Sequence, residues 1–417
     1  MEAQENRIIR SRDVSGPHEG GNLHENGLGG GEQVASPAVD LTFSPEEDRF
    51  RAECRAWLEA NVPVGLPSGD TREGFALHLE WERALFDARW AVVSWPEEYG
   101  GRGATPMEWL IFEEEYYAAG GPQRVTQNGV FLLAPTVFEF GTKEQQDRIL
   151  ARMAGAEDLW CQGWSEPNAG SDLAGIQSKA ARDDAGGGWR LSGQKTWTTR
   201  GAFCTHMFGL FRSDPEAERH RGLTYFLVPL DAPGITVRGF GRLDGDEGFA
   251  EVFLDDVFVP DDAVLGDVNQ GWSVAMATTS AERGLTLRSP GRFMATAQRL
   301  LALHRERGSD ETPQVRDEIV KAWIDAEAYR WQTFHTVTRM TDGENLGAES
   351  SMTKVFWSEL DVRLHETALE ILGADAERDE TGWMKGFQFA LSGPIYAGTN
   401  EIQRNVIAER VLGLPRK

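Results

Sequence analysis

Cysteine is scarce in this chain: Cys54, Cys161 and Cys204 stand far apart, with no C-x-x-C pair. That spacing excludes a disulfide framework and a cysteine metal site, and it fits a reduced, cytoplasmic setting. Positive charge is the second shortage. Lys and Arg number 42 against 66 Asp and Glu, a formal net charge of −24. Nucleic acid recognition needs basic clusters, so that class is excluded. Any anionic ligand has to be held by local arginines and backbone N–H groups. No stretch approaches the roughly 18 uninterrupted apolar residues of a spanning helix. The opening Met-Glu-Ala-Gln-Glu-Asn-Arg lacks the apolar core of a signal peptide. No internal repeat is visible. The glycines before residue 40 follow no strand, so they are not a dinucleotide fingerprint.

What is present is a change of texture along 417 residues, a length that predicts two to three domains. Residues 1–40 are polar and glycine-rich and read as a flexible tail. Phe43-Ser-Pro-Glu-Glu47 is a helix start, with Ser44 as cap and Pro45 in the first turn. Phe50, Cys54, Trp57 and Leu58 follow at helical spacing, and 41–155 reads as an all-α domain. From Leu159 short runs rich in Thr, Val, Phe and Trp alternate with Gly, Asp and Pro. These are Trp189–Leu191, Lys195–Thr199, Thr205–Phe211, Thr224–Val228, Ile235–Phe240 and Val252–Val259. They predict a small antiparallel β domain over 156–268. Helical periodicity returns from Trp272, with Val320, Trp323, Ile324, Trp331, Phe334 and Val337 as one stripe. Residues 269–417 therefore read as a C-terminal four-helix bundle in an α+β protein.

Four stretches carry candidate chemistry. Trp160-Cys-Gln-Gly-Trp-Ser-Glu-Pro-Asn-Ala-Gly-Ser-Asp172 runs from a strand into a glycine-serine turn. Gly193-Gln-Lys-Thr-Trp-Thr-Thr199 presents an indole and hydroxyls from a strand. Asn269-Gln-Gly-Trp-Ser-Val leads into a helix bearing Glu282-Arg283. Tyr396-Ala-Gly-Thr-Asn-Glu-Ile-Gln403 is a turn opening a helix, where exposed N–H groups can meet a phosphate. No metal site is expected.

Together these resemble the acyl-CoA dehydrogenase family, over nearly the whole chain from residue 41. Trp95-Pro with Tyr99-Gly-Gly101, Phe140-Gly-Thr-Lys-Glu-Gln145, Ser165-Glu-Pro with Gly170-Ser-Asp172, Lys195-Thr-Trp-Thr-Thr199, Asp255-Asp-Val-Phe-Val-Pro260, Glu282-Arg283 and Gly398-Thr-Asn-Glu-Ile-Gln403 occur in the family's order. The resemblance implies an α–β–α fold, FAD held without a Rossmann unit, an acyl-CoA substrate, an electron-transfer flavoprotein as acceptor and a homo- or hetero-tetramer. It assigns Trp197, Thr198 and Thr199 to the flavin-contacting strand, and Gln162, Trp164 and Ser165 to the flavin's pyrimidine side. Gly170 and Ser171 match the turn that meets cofactor and acyl-CoA. Gly373, Thr399, Asn400 and Glu401 match FAD contacts, and Arg283, Tyr396, Ala397 and Gly398 match substrate contacts.

The family reaction removes a weakly acidic α-proton while hydride leaves the β-carbon, so it needs a placed carboxylate and fixed donors for the carbonyl oxygen. Many members carry Glu immediately before Gly-Thr. Here that position is Ala397. An isovaleryl-CoA dehydrogenase-like branch also has Ala there and takes its base from the helix position before the arginine, which implies Glu282. The Ala397 N–H and a ribityl hydroxyl are the implied donors. Three further departures are the absent Phe-Gly after Arg305-Glu-Arg307, Ala374 where a second Gly is usual, and Glu370 where Gln is common. Such changes occur in members built from two unlike subunits. The leading expectation is α,β-desaturation to a 2,3-enoyl-CoA. The alternatives are a half-site or non-catalytic subunit of a heteromer, and a flavin oxidase or monooxygenase on the same fold.

Overall fold

The computed structural model describes residues 42–284, 289–307, 312–341, 347–378 and 382–416, with backbone alone at 280–284 and 289. The tail expected over 1–40 lies outside these residues, as do 308–311 of the stretch lacking Phe-Gly.

Helices come first: α1 (Pro45–Asn61), α2 (Arg72–Asp87), α3 (Pro106–Ala118), α4 (Ala134–Phe140) and α5 (Lys143–Ala154). Their starts are written locally. The Ser44 hydroxyl accepts the Glu47 N–H at 3.2 Å, and the Glu47 carboxylate accepts the Ser44 N–H at 2.7 Å. Thr105 and Thr142 build the same reciprocal cap at α3 and α5. Indoles fill the interior, with Trp57 on Trp81 at 5.6 Å and Trp90 parallel to Phe112 at 5.8 Å. Before α4 the helix widens into a π-turn, Asn128–Leu133, every residue of which is buried. Its Gly129 permits close approach: a β-carbon there would stand 3.0 Å from Met153 and 3.3 Å from Trp160.

The sheet holds β1 (Trp160–Gly163), β2 (Lys179–Asp183), β3 (Gly188–Thr199), β4 (His206–Arg212), β5 (Leu223–Pro229), β6 (Ile235–Phe240) and β7 (Phe249–Pro260). Its order is β1-β4-β2-β3-β7-β6, with β5 on β4. Most pairs are antiparallel, but β1 runs parallel to β4, through Cys161 beside Met207. The two runs expected at Trp189–Leu191 and Lys195–Thr199 are one strand, interrupted where its register on β7 shifts.

Helices return as α6 (Gly271–Gly284), α7 (Ser289–Arg307), α8 (Pro313–Thr341), α9 (Ser350–Leu372), α10 (Trp383–Ala390) and α11 (Asn400–Val406). Phe293, Leu300, Ile319, Ala326, Tyr329, Leu360 and Leu364 form the bundle core. The stripe expected on α8 divides. Phe334 and Val337 are buried, whereas Val320, Ile324 and Trp331 are 51, 57 and 42% exposed. The buried line runs instead through Val315, Ile319, Ala322, Ala326 and Tyr329, which face α7 and α9. No described helix is long and apolar enough to cross a membrane.

Candidate active site

The end of β3 displays the first group. Between Lys195 and Thr198 the strand slips register on β7, and Trp197 takes a left-handed φ of 58°. A residue with a β-carbon is strained there, and such bulges re-aim side chains. The Trp197 indole is 59% exposed and stands edge-on to Phe240 and Phe249 at 5.2 and 5.5 Å. The Thr198 hydroxyl is buried and donates to the Ala250 carbonyl at 2.7 Å, so it ties β3 to β7. Thr199 keeps partial exposure beside Trp197.

This strand end is pinned on both sides. Lys195, fully buried, donates to Glu166 at 2.8 Å and to the Leu210 carbonyl at 2.7 Å. Burial pushes the Lys195 ammonium down to about 8, an effect that the Glu166 carboxylate only partly offsets. Burial opposes ionisation of Glu166 too. Lys195, the Gln177 N–H and the Ser178 contact outweigh it and hold that carboxyl below its ordinary value. Arg200, next after Thr199, reaches Asp70 at 2.7 Å. Burial raises the Asp70 carboxyl, and Arg200 and Arg242 more than reverse that.

The Thr196 N–H donates to the Ser165 carbonyl at 2.9 Å, which brings Gln162, Trp164 and Ser165 beside the Trp197 strand. Trp164 is buried edge-on against Phe208 and Tyr225, at 6.5 and 6.4 Å, and its indole N–H has no partner among the described residues. Gly170 and Ser171 are exposed on the following turn, where Asp172 meets Arg219 at 2.8 Å.

The second group is the turn before α11. Ala397 has φ 57° and Gly398 φ 81°. Among the described residues, nothing accepts the N–H groups of Ala397, Gly398 or Thr399. The turn rests on α9. Tyr396 packs on Trp357 at 5.8 Å, and Lys354 and Ser358 donate to the Asn400 side-chain oxygen at 2.8 and 3.1 Å. Asn400, expected as a cofactor contact, therefore turns its side chain inward and is 3% exposed. Thr399 caps α11 by accepting the Ile402 N–H, and Glu401 points outward. Gly373 ends α9 with φ 56° and is exposed.

Helix α6 lies between the sheet and the bundle. It packs against β4, β5, the π-turn, α4 and α9. Thr278 on α6 shares a 2.9 Å hydrogen bond with Thr136 on α4 and approaches the Tyr225 hydroxyl at 3.3 Å. Glu282 follows one helical turn later on the same helix face. The side chains of Glu282 and Arg283 lie outside the described residues.

Residues without an expected role also converge here. Asn128 and the π-turn sit between β1 and α6. An apolar cleft of about 270 Å³ opens beside the turn, with Trp95, Trp109, Phe112, Phe131 and Phe138 in its wall. A second cleft, of about 420 Å³, lies at the start of α6 between His220, Arg221, Asn269 and Trp272. Lone apolar, His or Arg residues give no period that would have announced either cleft. Gln403 stood inside a quoted motif without a role. Its buried amide donates to the Ala397 carbonyl at 3.0 Å.

These features suit a flavin nucleotide: a large exposed indole on a strained bulge, hydroxyls beside it, a buried indole N–H without an acceptor and a turn of free N–H groups. Residues 44–157, 161–257 and 269–412 match, in turn, the N-terminal, middle and C-terminal domains of acyl-CoA dehydrogenase. The chain belongs to the acyl-CoA dehydrogenase family, and so is an FAD-dependent oxidoreductase of acyl-CoA thioesters. Acyl-CoA dehydrogenase IpdE1 of Mycolicibacterium smegmatis is 38% identical over 393 residues, covering 89% of this chain and 99% of that protein. Acyl-CoA dehydrogenase FadE29 of Mycobacterium tuberculosis is 30% identical over 400 residues, covering 91% and 99%. Among solved structures, the Tcur3481-Tcur3483 steroid ACAD superposes with a TM-score of 0.81 at 28% identity, covering 91% of this chain and all (100%) of that one. The ChsE4-ChsE5 complex from Mycobacterium tuberculosis gives 0.78 at 26%, with 91% and 100% covered.

Proposed function

We propose that this protein desaturates the α,β bond of a bulky acyl-CoA thioester, with Glu282 as the base. The observation that carries the reading is the pairing of Ala397 with Glu282. The methyl group at 397 cannot take a proton. Position 282 lies on the α6 face that carries Thr278, the face turned toward α4 and β5. The Glu282 carboxylate removes the α-proton. The Ala397 N–H meets the carbonyl oxygen as negative charge develops there. FAD, when bound, would supply the hydride acceptor, and the Trp197 strand and the Gln162–Ser165 segment would hold it. Electrons then pass to an electron-transfer flavoprotein.

Two features support an extended acyl group: the apolar cleft beside the π-turn, and the likeness to a protein described as a steroid ACAD. The cleft at the start of α6 suits the nucleotide end of CoA. His220 and Trp272, with ring centres 5.9 Å apart, offer aromatic faces for adenine, and Arg221 offers a phosphate partner. Anaerobic mixing of the purified protein with acyl-CoAs of increasing bulk tests the reading. The expected result is flavin bleaching, with a ring-bearing acyl group reduced at least tenfold faster than butyryl-CoA, about what one or two buried methylenes are worth. Equal rates, or bleaching by butyryl-CoA alone, would remove the bulky-substrate claim.

A second reading is that the chain is one half of a site shared with an unlike subunit. The departures at Ala374 and Glu370 favour it, as do the two paired-chain structural relatives. Flavin per chain in the protein purified alone separates the two. Full occupancy in a homo-oligomer contradicts the half-site reading.

A further inference from the structure

We propose that Lys354 is a positioning residue for the reaction: its buried ammonium clamps Asn400 and thereby sets the direction of the Ala397 N–H. The inference rests on the reading that this N–H meets the thioester carbonyl oxygen.

Lys354 is 4% exposed, deep in the bundle on α9. A buried ammonium is costly unless its hydrogen bonds are made. Its partner at 2.8 Å is the side-chain oxygen of Asn400, itself 3% exposed. Ser358, one helical turn further along α9, donates to the same oxygen at 3.1 Å. The Asn400 N–H in turn donates to the Pro394 carbonyl at 2.8 Å. The clamp therefore grips residues on both sides of Tyr396, Ala397 and Gly398. From within, the Gln403 amide donates to the Ala397 carbonyl at 3.0 Å. Trp357, on the same face of α9 as Lys354 and Ser358, carries the Tyr396 ring at 5.8 Å.

This framework holds a conformation that the chain would not keep unaided. Ala397 sits at φ 57°, a left-handed conformation that a β-carbon disfavours. Its N–H and that of Gly398 have no acceptor among the described residues. Released, the turn would relax, and the N–H would swing with it. An oxyanion donor works only when it is aimed before the charge appears. A charge-assisted hydrogen bond is shorter and roughly twice as strong as a neutral one, so it holds the Asn400 end of the turn in place. A buried lysine here is therefore a device for aim as well as for cohesion.

The test uses the full-length holoprotein and acetoacetyl-CoA, whose bound enolate reports how well the carbonyl oxygen is stabilised. Lys354→Met is compared with the native protein by enolate absorbance against pH, affinity for the probe, flavin content and thermal midpoint. The expected result is retained flavin, affinity within about threefold, and a bound α-proton pKa raised by about one unit, with turnover of a true substrate lowered roughly 10- to 100-fold at little-changed KM. An unchanged enolate titration with a lowered thermal midpoint overturns the proposal, because Lys354 would then serve cohesion alone. If Lys354→Met does not fold, the double variant Lys354→Met with Asn400→Leu replaces both buried partners by apolar groups, and the same titration decides. If neither variant folds, the pair belongs to the core, and the proposal is overturned as well. The underlying reading fails separately: a native protein that binds acetoacetyl-CoA without lowering its α-proton pKa contradicts the Ala397 donor, and the clamp with it.

Discussion

Two buried lysines anchor the two halves of the candidate site, and they do so with different partners. Lys195 holds the Trp197 strand through the Glu166 carboxylate, while Lys354 holds the terminal turn through the Asn400 amide. The two hydrogen bonds have the same length, 2.8 Å. Their energetics differ. The Lys195 pair takes two full charges out of water, so either partner alone is left as an uncompensated buried charge. The Asn400 amide carries no charge, so removing Lys354 leaves only a neutral group unpaired, a weaker deficit. The strand's anchor is therefore expected to be the costlier of the two to break.

The largest expected effect breaks the strand's anchor. Glu166→Gln should cost about 3–5 kcal/mol in urea unfolding, because Lys195 would remain buried without a counter-charge. Flavin should dissociate more readily from this variant, as the Trp197 bulge loosens. Lys354→Met should cost less, about 1–3 kcal/mol in the same assay, the deficit of a hydrogen-bonded group left unpaired. A reversed order would break the comparison. A third expected effect is one of pH. Lys195 has a folded pKa of about 8, against about 10.4 in an unfolded chain. Between those values the folded chain binds fewer protons, so this lysine makes stability rise with pH across that window. Below pH 8 its burial penalty is present in full. Lys195→Met should flatten that part of the profile, measured by urea unfolding from pH 7.5 to 10.5; a slope that survives the substitution assigns it to another group.

Much of the fold was legible because local chemistry and tertiary structure agreed. Ser44 and Pro45 open α1 as their types require. Ile235–Phe240 is a strand with the expected bounds, since three β-branched residues in a row, Ile235, Thr236 and Val237, open it between turn formers. The strand Lys179–Asp183 was missed: Lys-Ala-Ala-Arg-Asp has no β-branched or aromatic residue, and its pairing with β3 and β4 extends it. The π-turn was illegible for another reason. One extra residue in a helical turn leaves an apolar run such as Val-Phe-Leu-Leu unchanged in composition. On α8 periodicity alone misplaced the core, because Val320 and Ile324 share the helix with the smaller Ala322 and Ala326 that the neighbouring helices select.

The site divides along the same line. Residue types expected to face a ligand, such as Trp197 and Thr199, stood out by motif. Those that hold them did not, because a lysine in a sequence reads as surface, and Lys195 and Lys354 are both interior. Asn400 was expected as an FAD contact in this turn. Its side chain faces α9, and the N–H groups of Ala397, Gly398 and Thr399 have no acceptor among the described residues.

The central claim is that the proton chemistry sits on α6 and not on the terminal turn. Single-turnover flavin bleaching by Glu282→Gln, with an acyl-CoA that bleaches the native protein, tests it most directly. The account predicts retained flavin, retained acyl-CoA affinity and a bleaching rate lower by roughly 10²–10⁴-fold, the range for loss of a general base. Bleaching at the native rate would contradict it and place the base elsewhere.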